Sequence, residues 1–192
     1  MEQNRNQPNV KAIQDGDSQE FSKLVETYKN LVFTVAIRML KNTEEAEEVA
    51  QDTFIKVFKS IKNFKGDSKF STWIYRITYN TCLDKLKKTK KAQMISSLDT
   101  ITNMEVVDLN TVLDDIEREE RSKLLKKCME MLSPSDCALL SFFYFEEKNL
   151  NELSKILNLT ENTVKVRLFR ARGRLASIVK EKLNPEIIQN YG

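Results

Sequence analysis

Between Phe21 and Leu40, apolar side chains return at three- and four-residue steps: Phe21, Leu24, Val25, Tyr28, Leu31, Val32, Val35, Ala36, Met39 and Leu40. At 3.6 residues per turn this spacing gathers them on one face, so the segment is an amphipathic helix with a stripe to bury. Asp17 and Glu20 form a capping pair at its start. Thr43, Glu44 and Glu45 open a second helix, because acids favour the positive end of the helix dipole. Its stripe is Ala46, Val49, Ala50, Phe54, Val57, Phe58 and Ile61. The stretch Lys62 to Ser71, with Gly66 and Asp67, breaks the pattern, and Trp73, Ile74, Ile77 and Leu83 restore a helix running to about Lys91. Periodicity then fails until Ile116, Leu124, Leu125, Cys128, Met131 and Leu132. Pro134 suits the first position of a further helix, and Ala138 to Phe145, Leu150 to Leu157 and Val164 to Leu183 complete the set. Only 4 Gly and 3 Pro in 192 residues argue against a turn-rich β protein. The expected fold is all-α: two small helical domains, residues 10–91 and 116–186, joined by an acidic flexible linker at 92–115. The second domain is expected to carry a helix-turn-helix.

Composition removes most chemistries. Histidine is absent, which excludes His-based acid/base catalysis, Ser-His and Cys-His nucleophile pairs and His-containing zinc sites. Cys82, Cys128 and Cys137 have neither a disulfide framework nor a CxxC spacing, so they read as reduced, packed thiols. No phosphate-cradling G-x-x-x-x-G-K loop occurs. No apolar run approaches the ~18 residues of a membrane span, and the polar start, Met1 to Asp17, lacks the apolar block of a secretory signal. A cytoplasmic protein with no cofactor, no metal and no small-molecule substrate is expected.

The net charge of +3 hides segregation. Ser60 to Lys91 holds eight Lys and one Arg against two acids; Thr160 to Lys182 holds three Lys and four Arg against two acids. Between them, Asp99 to Glu120 holds eight acids and only Arg118. A lone charge run is usually a solvated helix face, but a basic, acidic, basic order is what a partner carrying phosphates would feel.

Two constellations sit in the basic blocks. In the second, Leu150, Leu153, Ser154, Ile156 and Leu157 make a short helix, Asn158 and Leu159 a turn, and Thr160 with Glu161 caps a further helix. Ser154 supplies a small residue where the helices touch, and Asn158 tolerates left-handed geometry. Lys165, Arg167, Arg170, Arg172 and Arg174 fall on or near outward faces, with Asn162 and Thr163 at the helix start, the profile of a recognition helix. The competing account is an ordinary helical hairpin with a basic solvated face. In the first block, Phe64, Phe70, Trp73, Tyr75 and Tyr79 interleave with Lys62, Lys65, Lys69, Arg76, Lys85, Lys87 and Lys88. Cations hold a backbone while aromatics stack on unpaired bases at ~1 to 3 kcal/mol each. Trp73, Ile74 and Ile77 at helical spacing equally suit a core, and at least one of Phe64 and Phe70 is expected to anchor the loop between them. Asn63, Lys65, Gly66, Asp67 and Ser68 offer mixed donors and acceptors to a flipped base.

With these residues placed, a resemblance emerges. The runs AEEVAQDTFIKVFKSIKNFKGDSKFSTWIYRITYNTCLDKLKK, Ala46 to Lys88, and LNELSKILNLTENTVKVRLFRARGRL, Leu150 to Leu175, resemble the two signatures of bacterial sigma factors of the extracytoplasmic-function group (group 4, sigma-70-like). They stand in the family's order, and the resemblance extends over about Phe21 to Leu183. It implies a first domain that binds the beta-prime clamp of RNA polymerase core and the promoter minus-10 element, and a second that binds the minus-35 element and the beta flap. By motif match, Gln51, Asp52, Phe54, Ile55 and Val57 belong to the clamp surface. Asn63, Phe64, Lys65, Ser68, Phe70, Thr72, Trp73, Arg76, Tyr79 and Asn80 capture and melt the minus-10 strand. Thr163, Lys165, Val166, Arg167, Phe169 and Arg170 match positions at the minus-35 groove, and Arg172 and Arg174 match phosphate contacts. The acidic linker resembles the segment that threads the polymerase RNA channel. An anti-sigma partner is implied, and with it a membrane association that is only indirect. The chain departs from the family pattern at Val166, where serine is common, at Ser154, where alanine is common, and after Pro134, where Ser135, Asp136 and Cys137 lack the usual Arg.

Two other functions compete. A regulator could bind DNA through the C-terminal motif without polymerase core, and a carboxylate-metal nuclease could use Glu44, Glu45, Glu47, Glu48 and Asp52. The acids have no histidine and no second acidic cluster nearby in sequence, so a solvated or partner-facing surface is expected instead, and the protein is expected not to be an enzyme.

Overall fold

The computed structural model describes residues 8–89 and 118–183, with side chains in the second stretch from Lys123 onward. The linker expected at 92–115 lies outside the described residues. Eight α-helices and one 3₁₀ turn occur among the described residues, and no strand. The chain divides into two compact units, with the main break after residue 90.

In the first unit, α1 (Val10–Gln14), α2 (Ser18–Leu40) and α3 (Thr43–Ser60) are followed by a 3₁₀ turn (Ile61–Asn63) and α4 (Phe70–Lys88). α2, α3 and α4 pack on one another, and α1 lies against α2 and the 3₁₀ turn. The α2 stripe faces inward as its spacing requires: Leu24, Val32, Val35, Ala36, Met39 and Leu40 are buried. Each such Val, Leu or Met contributes roughly 1.5–3 kcal/mol when fully buried. α3 adds Ala46, Val49, Thr53 and Val57, and α4 adds Ile74, Tyr75, Tyr79, Cys82 and Leu86. Burial pushes the Cys82 thiol up to about 12, so it stays protonated and inert.

Side-chain caps fix the element ends. Asp17 Oδ1 accepts from the backbone N–H groups of Gln19 and Glu20 at the start of α2. The expected capping pair is therefore half right: Glu20 turns to accept from the backbone N–H of Asn9, tying α1 to α2 instead of closing on Asp17. α2 ends in a left-handed Lys41 at φ 57°, and Asn42 accepts from the Glu45 N–H to begin α3 after a two-residue turn. α4 ends at Lys88, three residues short of the expected Lys91, with Thr89 as its C-cap.

The second unit contains α5 (Arg118–Glu130), α6 (Pro134–Tyr144), α7 (Leu150–Leu157) and α8 (Glu161–Leu183). Pro134 opens α6 and Ser133 caps it, accepting from the Asp136 N–H. α6 is buried on nearly every side from Asp136 to Phe142 and packs with α5 against α8. Cys128, Cys137, Leu139, Leu140, Phe142, Leu153, Ile156, Val164, Ala171, Leu175, Ala176 and Val179 form its core. The three cysteines are free and buried.

Candidate nucleic-acid interfaces

The first candidate surface is the loop between the 3₁₀ turn and α4. Its sharpest bend uses Gly66 at φ +80°, a conformation L side chains rarely adopt. The flanking aromatics close on one another: Phe64 lies 5.1 Å from Phe70 and 5.2 Å from Trp73, and Phe70 lies 5.4 Å from Trp73, centroid to centroid. Tyr28 of α2 approaches Phe70 edge-on at 5.8 Å, and burial raises its phenol above the ordinary range. Such ring pairs add about 0.5–1.5 kcal/mol each beyond burial, so the expected anchoring of the loop is done by both Phe64 and Phe70. Around this base, Asn63, Phe64, Lys65, Ser68, Trp73 and Arg76 line one recess. Asn63, Lys65, Arg76 and Asn80 are exposed, while Phe64, Ser68, Phe70 and Trp73 are half-buried.

One of the residues assigned to this surface does not reach it. Thr72, though 1% exposed, still borders the recess, whereas Tyr79, 4% exposed, is turned into the helix bundle. Tyr79 belongs with Tyr75, Cys82 and Leu86 on the buried side of α4, where the three- and four-residue spacing places it, so its ring is not free to stack on a base.

Sequence reasoning missed a residue that holds the loop. The Gln14 side-chain amide at the end of α1 donates to the backbone carbonyls of Ile61, at 2.9 Å, and Phe64, at 3.0 Å. No periodicity or motif marks a glutamine whose partners lie 47 and 50 residues away.

The second surface is on α3. Gln51, Asp52 and Ile55 are exposed, Ile55 at 51%. Phe54 is half-buried against the core cluster, and Val57 is fully buried within it. Val57 is therefore a core residue and not a contact of the clamp surface. Phe58, one residue on and expected inside, is 61% exposed and touches Phe21 edge-on at 5.0 Å. Ile55 and Phe58 bordered by Gln51 and Asp52 make an apolar patch with a polar rim, the composition of a protein-binding surface. On the flank facing α4, Lys56 pairs with Asp84 at 3.2 Å and Lys85 with Glu48. As exposed pairs they add little to stability.

The third surface is the α7–turn–α8 motif. Asn149 and Glu152 cap α7 reciprocally: Asn149 Oδ1 accepts from the Glu152 N–H and Glu152 Oε2 accepts from the Asn149 N–H. Asn158 adopts φ 54°, the left-handed turn geometry expected of it. Thr160 Oγ1 accepts from the Thr163 N–H at 3.2 Å and shares a hydrogen bond with the Thr163 hydroxyl at 2.8 Å. Asn151 Nδ2 donates to Glu161 Oε1, tying the two helix starts. Val164, Leu168, Ala171 and Leu175 then fasten α8 to the core. This leaves Thr163, Lys165, Arg170 and Arg172 exposed and Arg167 half-exposed, beside Val166 at 49% and Phe169 at 58%.

Arg174 departs from the expected phosphate-contacting set. Its Nε and Nη2 each donate to Asp136 of α6 at 2.8 Å, a bidentate pair with both side chains largely buried. Arg174 lies at the edge of the buried stripe, three residues after Ala171, and the guanidinium is spent inside the unit. The only sequence sign was an acid, Asp136, just ahead of the apolar run of α6.

Among the described residues, no group of His, Cys, Asp or Glu is arranged to hold a metal ion. No described helix is long and apolar enough to cross a membrane. The Sigma-70 region 2 family matches residues 24–92, and the Sigma-70, region 4 family matches residues 122–175. The ECF RNA polymerase sigma factor SigW of Bacillus subtilis is 30% identical over 178 residues, spanning 90% of this chain and 95% of that protein. The RNA polymerase sigma-H factor of Pseudomonas aeruginosa is 30% identical over 179 residues, spanning 90% of this chain and 92% of that protein. Among solved structures, the fold is similar to the sigma factor RpoE of Bartonella quintana in complex with the anti-sigma factor NepR. The TM-score is 0.58 at 20% identity, covering 84% of this chain and 98% of the other. It is also similar to CnrH in complex with the cytosolic domain of CnrY, at TM-score 0.54 and 16% identity, over 89% of this chain and 94% of the other.

Proposed function

Because this chain belongs to the extracytoplasmic-function group of RNA polymerase sigma factors and so directs transcription, we propose that it binds polymerase core, recognises promoter elements with both units and melts the DNA between them. The observation that carries this reading is that each family-matched segment presents its own exposed basic surface: Lys62, Lys65 and Arg76 in the first, Lys165, Arg170 and Arg172 in the second.

The chemistry of the two surfaces supports a division of labour. Arg and Lys on α8 hold phosphates while Thr163, Val166 and Phe169 face base edges. An apolar side chain in the major groove reads the thymine methyl, and each good bidentate contact from Arg to guanine discriminates by ~1–3 kcal/mol. The first unit suits a separated strand. Its loop is already folded, so capturing a base does not first have to order the backbone. Asn63, Lys65 and Ser68 offer polar contacts at the recess, the half-buried faces of Phe64 and Trp73 offer stacking, and Lys65 and Arg76 hold the backbone. The patch of Gln51, Asp52, Ile55 and Phe58 docks on the beta-prime clamp, and the second unit on the beta flap. The acidic stretch beginning at Asp99 enters the RNA channel as a polyanion.

The protein acts in the cytoplasm as a non-enzymatic subunit that uses the active site of the polymerase. RpoE occurs in complex with the anti-sigma factor NepR and CnrH in complex with the cytosolic domain of CnrY, and an anti-sigma partner is proposed to hold this chain inactive and to provide any link to a membrane. Run-off transcription with bacterial core polymerase on a pooled promoter library tests the reading. Defined start sites appearing only when the protein is added are the expected result. Specific duplex binding without core-dependent initiation would replace it with the independent regulator.

A further inference from the structure

The chain before α2 has little core to offer, yet it is fixed at several points. Asn9 caps α1 and its N–H binds Glu20; Ile13 is buried in the same cluster as Ile61; Gly16, at φ +102°, turns the chain into α2. Between Ile13 and Gly16, Gln14 directs its amide nitrogen at two carbonyls three residues apart. Ile61 is the start of the 3₁₀ turn and Phe64 is its exit into the loop. Of the two polar ends of the glutamine side chain, only the amide nitrogen, with two N–H donors, can satisfy both oxygens. The Ile61 carbonyl also accepts the Phe64 N–H at 3.0 Å, so losing Gln14 would still leave it a partner. The Phe64 carbonyl is the group that depends on Gln14, and it lies where the chain turns to extended geometry, between the exposed side chains of Asn63 and Lys65.

We propose that Gln14 is a positioning residue for promoter opening: its amide splints the exit of the 3₁₀ turn, so that Asn63, Phe64 and Lys65 are held in the geometry that receives an unpaired base. This rests on the assignment of the loop to minus-10 strand capture. Gln14 touches no nucleic acid itself. It acts by keeping the loop ordered before the strand arrives, which removes an ordering cost from binding.

The test uses the full chain bound to core polymerase and a fluorescent single-stranded oligonucleotide carrying the non-template minus-10 sequence of a start site mapped by run-off transcription. Gln14→Glu puts acceptor oxygens against the two carbonyls. It is expected to weaken strand binding about tenfold, the scale of one or two hydrogen bonds. Affinity for core and for minus-35 duplex is expected to stay unchanged. Gln14→Lys, whose ammonium can donate to both carbonyls, is expected to recover binding to within about twofold of native. Hydrogen exchange on the protein alone is expected to show faster exchange of the amides at 64–69 in Gln14→Glu and not in Gln14→Lys. Native strand affinity in Gln14→Glu, unchanged loop exchange, or an equal loss of core and duplex binding would each overturn the proposal. Native protein that fails to bind the strand would overturn the loop assignment itself, a result separable because loop exchange is read without DNA.

Discussion

The two units meet solvent on their candidate surfaces in opposite ways. In the first, the large apolar groups of the loop region, Phe64, Phe70 and Trp73, are in contact with one another, and polar side chains form the exposed rim. In the second, Val166 and Phe169 stand in water among arginines on a helix whose opposite face is fully packed. A regular helix presents side chains at fixed spacing without further support, so its outward apolar groups can be left free for a groove. A loop has no such ladder and must spend aromatic side chains on its own shape. The comparison teaches that aromatics near a basic loop are as much scaffold as ligand, whereas apolar groups exposed on a recognition helix are available for contact.

That contrast can be broken most severely at the Asp136–Arg174 pair. Arg174→Ala leaves a nearly buried carboxylate without its partner, and such losses typically cost ~3–5 kcal/mol. Chemical denaturation should show the second unit unfolding at markedly lower urea while the first keeps its native midpoint. An unchanged second transition would return Arg174 to the surface. Next in size, Arg170→Ala should weaken minus-35 duplex binding about tenfold or more, within the ~1–3 kcal/mol of a specific base contact, with native affinity for core. Fluorescence anisotropy on duplex and core separately checks both halves. Phe58→Ala should reduce core association by roughly 1–2 kcal/mol, as for an exposed aromatic at a binding surface, and Asp52→Ala by less. Neither should move thermal stability appreciably, and native core affinity in both would remove α3 from the clamp surface.

The smallest effect concerns Cys82. Its thiol is raised by burial from 9.0 to about 12, so above pH 9 the unfolded chain releases a proton that the folded one retains. Its contribution to the stability of the first unit is complete below pH 9 and is lost progressively as pH rises toward 12. At pH 8 a thiol reagent should leave Cys82 unmodified in native protein and modify it in urea. Rapid native reaction would contradict its burial.

Much of the fold was legible because helices of eleven residues and more repeat their apolar spacing several times. α2, α3 and α8 follow from that repetition, with Asp17 at the start of α2; the eight-residue α7 follows from its apolar residues and the left-handed Asn158 after it, and α6 from Pro134 at its start. α1 did not: five residues cannot display a period, and it is held by hydrogen bonds to distant carbonyls. The α3 stripe was legible in outline only, since Thr53 takes a buried position and Phe58 an exposed one, the reverse of what polarity suggests. Tyr79 shows the converse error. It lies with Tyr75, Cys82 and Leu86 inside α4, a row that the stripe read from Trp73, Ile74, Ile77 and Leu83 did not mark, while the family pattern drew it to the strand-binding surface. Arg174 could not be assigned from one helix, because its partner lies on another, 38 residues away.

The central claim is that the first unit opens DNA only as part of the polymerase. Permanganate footprinting of a promoter identified by run-off transcription tests it directly, since the reagent oxidises unpaired thymines. The account predicts reactive thymines across the minus-10 region when core and this protein are both present, and none with either alone. Reactivity with the protein alone, or its absence from a complex that binds the minus-35 duplex and core, would contradict it.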